Sequence, residues 1–191
     1  MPNVAVPAPP ESLFKVKFHQ VSIYHANPEE AVDFWKAAGF TEWTEDQCVL
    51  RGFEYGRPFL EVEREWFNYD ILPLEFCLFQ YRRGAYKVED GRDGEPPFLA
   101  LMAAYVDSLE EKMAQLAEEL DLYPFKVYDS VEHVNPYLNT GPKAGMRFHK
   151  CLYNTAEWLG FDVKLTQRVM PGEPHYPAPL SHEEKVALDG D

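Results

Sequence analysis

The chain has 191 residues, is 46% hydrophobic and carries a formal net charge of −14. That length and apolar content suit one compact domain, or two small modules sharing a core. The acidity repels phosphate backbones and sets nucleic acid aside as a partner. The lack of any apolar run of about 18 residues sets aside a membrane partner.

The opening, MPNVAVPAPPESLF, has neither the basic start nor the apolar stretch of a secretory signal, so a cytoplasmic protein is expected. Residues 1–14 read as an extended, proline-rich N-terminal arm. The strand KVKFHQVSIY follows, with side chains alternating between two faces. Asn27-Pro28-Glu29-Glu30 is a helix start: Asn caps, Pro fits the first helical position, and Glu30 can close a capping box. Ala31, Phe34, Trp35 and Ala38 recur at helical spacing, and Gly39 suits a left-handed helix end. Three strands are then expected, Gln47–Phe53, Phe59–Trp66 and Leu74–Arg82. The polar, glycine-rich stretch at 84–97 reads as a linker.

From Phe98 the order repeats. Phe98–Val106 is a strand. Ser108 caps a helix whose buried stripe is Leu109, Met113, Leu116 and Leu120. The strands Lys126–Ser130, Met146–Tyr153 and Phe161–Arg168 follow. Asn27 and Ser108 lie 81 residues apart, so one supersecondary unit occurs twice, at 15–83 and 98–169. The segment 131–145 is long for a hairpin connection and suits a lid. Residues 170–191 form a proline-rich acidic tail, expected to wrap the surface or stay disordered. The three cysteines, Cys48, Cys77 and Cys151, form no CxxC pair and read as small buried residues.

HQVSIYHANPEEAVDFWKAAGF resembles the opening of the vicinal oxygen chelate superfamily, the group of glyoxalase I, bleomycin-resistance proteins, extradiol dioxygenases and methylmalonyl-CoA epimerase. AYVDSLEEKMAQL is similar to that family's second opening. LEFCLFQYR and GFDVKLTQR are similar to its module-closing strands. The resemblance implies an α+β fold in which two βαβββ modules form a curved mixed sheet around a cup. It also implies four metal-ligand positions in the first and last strand of each module. Counting back from Phe34-Trp35 puts them at Gln20, Cys77, Leu101 and Lys164. Leucine cannot coordinate and a lysine ammonium has no lone pair, so the standard metal site is expected to be absent.

The same register turns Val21, Ile23, Phe76, Leu78, Phe161, Val163 and Leu165 toward the helices. The candidate ligand-binding lining of the cup is Gln20, Ser22, Tyr24, Glu75, Cys77, Phe79, Tyr81, Arg147, His149 and Lys164. Lys164 either meets an anion or pairs with Glu75. His19 and His25 read as packing or surface residues, with His19 able to replace Gln20 if the strand bulges. The expectation is a protein that binds a small organic molecule in its cup with no cofactor. The overall acidity points to a cationic ligand. The alternative is a metal-dependent lyase, isomerase or dioxygenase of glyoxalase type, its divalent metal held by displaced ligands from Gln20, Glu75, His149 and Cys77. A third reading is an interaction protein with its cup blocked by 131–145 or by the tail. The linker length allows the modules to pair within one chain or between the chains of a homodimer.

Overall fold

A computed structural model describes residues 16–83 and 96–189, without the side chains of residues 81–83, 136, 137 and 189. The N-terminal arm and most of the linker therefore lie outside the described residues. The first module runs β1 (Phe18–Tyr24), α1 (Pro28–Ala37), β2 (Thr44–Glu54), β3 (Arg57–Asn68) and β4 (Glu75–Arg83). The second runs β5 (Phe98–Tyr105), α2 (Leu109–Leu120), β6 (Lys126–His133), α3 (Pro136–Asn139), β7 (Arg147–Tyr153), α4 (Ala156–Leu159) and β8 (Asp162–Val169). A tail helix, α5 (His182–Asp189), ends the described chain.

Both modules are βαβββ units, as expected, and together they make one curved mixed sheet. The sheet closes into a barrel in the order β1-β4-β3-β2-β6-β7-β8-β5. Within each module the first and last strands run parallel, Gln20 beside Glu75 and Leu101 beside Asp162. Between modules the contacts are antiparallel, β1 with β5 and β2 with β6. The pairing relates the halves by a pseudo-twofold. Gln20 corresponds to Leu101 and Cys77 to Lys164; Tyr24, Phe79 and Glu65 correspond to Tyr105, Thr166 and Lys150.

Each helix covers the outside of its own module. Val32 of α1 packs on Leu78 and Trp66, with Ile23 and Phe76 at the edge. Leu109 and Leu116 of α2 pack on Cys151, Tyr153, Val163 and Leu165. Burying two leucines this way contributes about 4 kcal/mol. Ser108 Oγ accepts the Glu111 N–H as expected. Asn27 makes no side-chain cap; its own N–H donates to His25 Nδ1 at 3.0 Å. Gly39, at φ +104°, supplies the left-handed turn after α1.

The outer face of β3 and β6 around Val62 and Val131 is covered by the tail. Leu180 and Leu188 pack on Val62 and Val131, and Arg51 binds Glu184 of α5 at 3.1 Å. Opposite, β2 and β6 meet at Gly52, which faces Tyr128. A Cβ there would lie 2.6 Å from Tyr128 Cα, so only glycine allows the strands this approach. The segment 134–146 folds back over one barrel end. Val134 N–H donates to Gln47 O, and Asn135 N–H to Asp46 Oδ1 at 2.8 Å. No helix among the described residues is long and apolar enough to cross a membrane.

Candidate functional site

The barrel interior is where the sequence placed the cup. Gln20, Ser22, Tyr24, Cys77, Phe79 and Lys164 are buried within it, and Glu75 stands beside Gln20 at its edge. Tyr81 lies on β4, with its side chain outside those described. Arg147 and His149 are corrections. Cys151 and Tyr153 pack on α2, so the alternation of β7 turns Arg147 and His149 outward and Phe148, Lys150 and Leu152 inward. Arg147 donates to Val131 O and Met146 O. His149 Nδ1 lies 2.7 Å from Asp129 Oδ1, on an outer groove of about 680 Å³ also lined by Arg51, Phe53, Val127 and Glu184.

One wall of the interior is built by β1, β4, β5 and β8. Gln20 Nε2 donates to Glu75 Oε1 at 2.5 Å, and Tyr69 OH donates to Glu75 Oε2 at 2.9 Å. Burial raises Glu75 above the usual carboxylate range, and the Tyr69 hydrogen bond works against that rise. Lys164 is 4% exposed, yet among the described residues no carboxylate lies within ion-pair distance of its ammonium. Gln20 Oε1, Ser22 Oγ and Thr166 Oγ1 are buried on the same wall without hydrogen-bond partners among the described residues. Ala103, paired with both Gln20 and Lys164, puts no bulk between them.

A bulge in β1 between Phe18 and Gln20 accommodates His19, whose ring stacks on Tyr105 at 3.6 Å. Arg168 sits over Tyr105 at 3.8 Å. Burial lowers His19 to about 4, helped by Lys164, Arg168 and Lys150, so its ring is neutral at pH 7.

The opposite wall was not foreseen. β3 turns Glu61, Glu63 and Glu65 inward, while Val62, Arg64 and Trp66 face out. The second module answers with Lys126 and Lys150. Lys126 Nζ binds Glu61 Oε1 at 2.6 Å and lies over the Phe59 ring at 4.2 Å. Burial alone would lower Lys150, but Glu65, Cys48, Glu63 and Asp46 outweigh it and raise its affinity for the proton. Burial, with Glu65 adding to it, pushes Glu63 up to about 7. The Cys48 thiol faces Glu63 Oε2 at 3.9 Å and Glu65 Oε2 at 4.0 Å; the Cys77 thiol faces Glu65 Oε1 at 4.0 Å. Burial, then Glu65, raises both thiols well above their ordinary range. The signal was legible in EVEREW, three acids at a spacing of two. Such alternation normally marks a solvated face, and closure of the sheet reverses that meaning.

The four positions that the resemblance assigns to a metal do not fit one. Leu101 offers no donor, and Lys164 places a positive charge where the ion would stand. The displaced set also fails to gather, because His149 is on the outer surface.

No protein-family model matches the sequence, and no curated protein matches it. Among solved structures, methylmalonyl-CoA epimerase from Mycobacterium tuberculosis is similar at 14% identity, over 85% of this chain and 88% of that one, with a TM-score of 0.43. A hypothetical protein from Bacillus halodurans matches at 11% identity, over 83% and 99%, with a TM-score of 0.46. A variant of 4-hydroxymandelate synthase from Streptomyces coelicolor matches at 11%, over 91% of this chain and 53% of that one, with a TM-score of 0.45. The chain has a glyoxalase-like fold. That assignment rests on the strand order and on the two parallel pairs β1–β4 and β5–β8, not on these modest scores, and it carries no activity with it.

Proposed function

We propose that the chain binds a small organic anion against the β1–β4–β5–β8 wall, with Lys164 as its counter-charge and without the metal of the family. The observation that carries this reading is Lys164: buried, cationic, and without a carboxylate at ion-pair distance among the described residues. An unpaired buried ammonium is costly, and an anionic ligand removes that cost. The competing reading, an ion pair with Glu75, is disfavoured because Glu75 is taken by Gln20 and Tyr69. The unpartnered oxygens of Gln20, Ser22 and Thr166 supply further polar contacts. A cationic ligand, suggested by the overall acidity, would meet Lys164 as a like charge.

Thermal-shift and calorimetric titration with a panel of small mono- and dicarboxylates and organic phosphates tests this. A member of the panel is expected to stabilise the wild-type protein, and Lys164→Met to weaken its binding about 30-fold or more. Equal binding by Lys164→Met, or stabilisation by organic cations alone, would sink the reading.

A further inference from the structure

The sequence singled out His149, and the barrel interior does not use it. It lines instead the outer groove of about 680 Å³ on the face of β2, β6 and β7. The ladders set Arg51 beside Asp129 and Asp129 beside His149, one row across three adjacent strands. The next row sets Phe53 beside Val127. The tail adds Glu184 of α5 to the lining. We propose that this groove is a second ligand site, for a small organic cation: a protonated amine carrying an apolar, ring-sized body.

The size and the lining suit such a ligand. Small-molecule sites run from about 300 to 1,000 Å³. Val127 and Phe53 give this one apolar surface, and Phe53 is 59% exposed. The face of an aromatic ring is electronegative and attracts a cation within about 6 Å.

The carboxylate left uncommitted in the groove is Asp129. Its Oδ1 lies 2.7 Å from His149 Nδ1. An ionised carboxylate only accepts, so the ring nitrogen carries the proton and donates. That bond positions the carboxylate, whose side chain stays 28% exposed. Among the described residues, Asp129 Oδ2 has no hydrogen-bond partner, and no ammonium or guanidinium lies within ion-pair distance of it.

Arg51 stands in the same row, but the tail holds it. Its Nη1 donates to both oxygens of Glu184, at 3.2 and 3.1 Å, and its Nη2 to Ala178 O at 2.7 Å. The groove thus sets two carboxylates against one guanidinium, and the pairing with Glu184 leaves Asp129 over. An ammonium finds there a charge-assisted acceptor and a ring to lie against. An anion would meet Asp129 as a like charge. The net charge of −14 draws cations toward the chain as a whole. The cationic ligand to which that acidity points therefore has its place outside the barrel, apart from the wall that holds Lys164.

The full chain is titrated with phenethylamine. 2-Phenylethanol and phenylacetate, which share its ring and lack its positive charge, are titrated in parallel. Calorimetry gives the affinity, and amide chemical shifts give the place. Phenethylamine is expected to saturate at one per chain, with shifts gathered at Phe53 and Val127–Asp129, and to bind less tightly as salt is added. It should bind at least about 10-fold more tightly than 2-phenylethanol, and phenylacetate should leave those amides unshifted. Asp129→Asn is expected to lower amine affinity about 10-fold. Phe53→Ala, at an exposed ring, is expected to lower it about 3-fold and keeps the site testable if Asp129→Asn does not fold. Glu184→Gln frees Arg51 for its neighbour Asp129 and should lower it about 3-fold. Lys164→Met should bind the amine normally, so loss of anion binding and loss of amine binding fail separately. No saturable binding, 2-phenylethanol bound as tightly as the amine, shifts gathered around Lys164 instead, or an affinity unchanged by both Asp129→Asn and Phe53→Ala overturns the site.

Discussion

The two modules share one backbone plan and line the barrel with opposite charges. The first sends Asp46, Glu61, Glu63, Glu65 and Glu75 toward the interior; the second sends Lys126, Lys150 and Lys164, with Arg168 at the rim. The pseudo-twofold makes the contrast direct, since Glu65 and Lys150 hold corresponding positions, as do Cys77 and Lys164. Apolar packing of α1 and α2 on the outside would serve either module alike. The inner lining differs, and it selects the partner. Two first modules face to face would bury acid against acid, whereas a first and a second module neutralise each other. Pairing of unlike halves is therefore built into the interior, and a metal shared symmetrically by both halves is not.

The sharpest way to break that contrast is to reverse one charge. Lys150→Glu puts a further acid into a buried acidic lining and is expected to cost at least about 4 kcal/mol, close to the whole stability of a small domain. Glu65→Lys alone sets it beside Lys150 and costs a similar amount. The double variant restores opposite signs and should recover at least half of the summed loss in urea denaturation. If the two losses simply add, the complementarity of the modules is incidental.

Much of this was readable from sequence, and the unread part has a physical cause. Asn27 and Ser108 fixed the repeat, and Gln20, Cys77, Leu101 and Lys164 fall on pseudo-symmetric places as counted. β1 over Gln20–Ile23 and β8 over Asp162–Thr166 alternate between polar and apolar residues. β7 does not: in RFHKCLY both faces mix polar and apolar residues, and only the packing of Cys151 and Tyr153 on α2 settles its phase. Lys150 was hidden by that ambiguity. The glutamates of β3 were hidden by the ordinary association of charge with solvent, which holds for an open sheet and fails for a closed one.

Closure itself depends on the β2–β6 seam, and the two inter-module seams are not alike. The β1–β5 seam carries a bulge at His19, where an additional side chain is accommodated. The β2–β6 seam is drawn tight at Gly52, where a methyl group would meet Val127 O and Tyr128 Cα. Gly52→Ala must push the strands apart and is expected to cost about 3 kcal/mol, with faster amide exchange on Val127–Asp129 than on β1. An alanine variant as stable as wild type would show the seam to be looser than described.

The smallest expected effect concerns the acid lining alone. Glu63 is raised to about 7 in the folded chain, against an ordinary value of 4.5. The folded state thus holds a proton that the unfolded state has already released. The stability this contributes is complete below pH 4.5 and is lost as pH rises through 7. Glu63→Gln cannot lose that proton, so the variant should match wild type near pH 4.5 and exceed it by at most about 3 kcal/mol at pH 8. Asp46 runs the other way: burial opposes the shift, but its hydrogen bond to His133 holds it low, so its contribution fades as the solution is acidified. Taking the difference between variant and wild type at each pH cancels that common term. A difference that stays flat from pH 4.5 to 8 would mean that Glu63 is already neutralised by Lys150 and Lys164, and that the first module's lining is less strained than its row of acids implies.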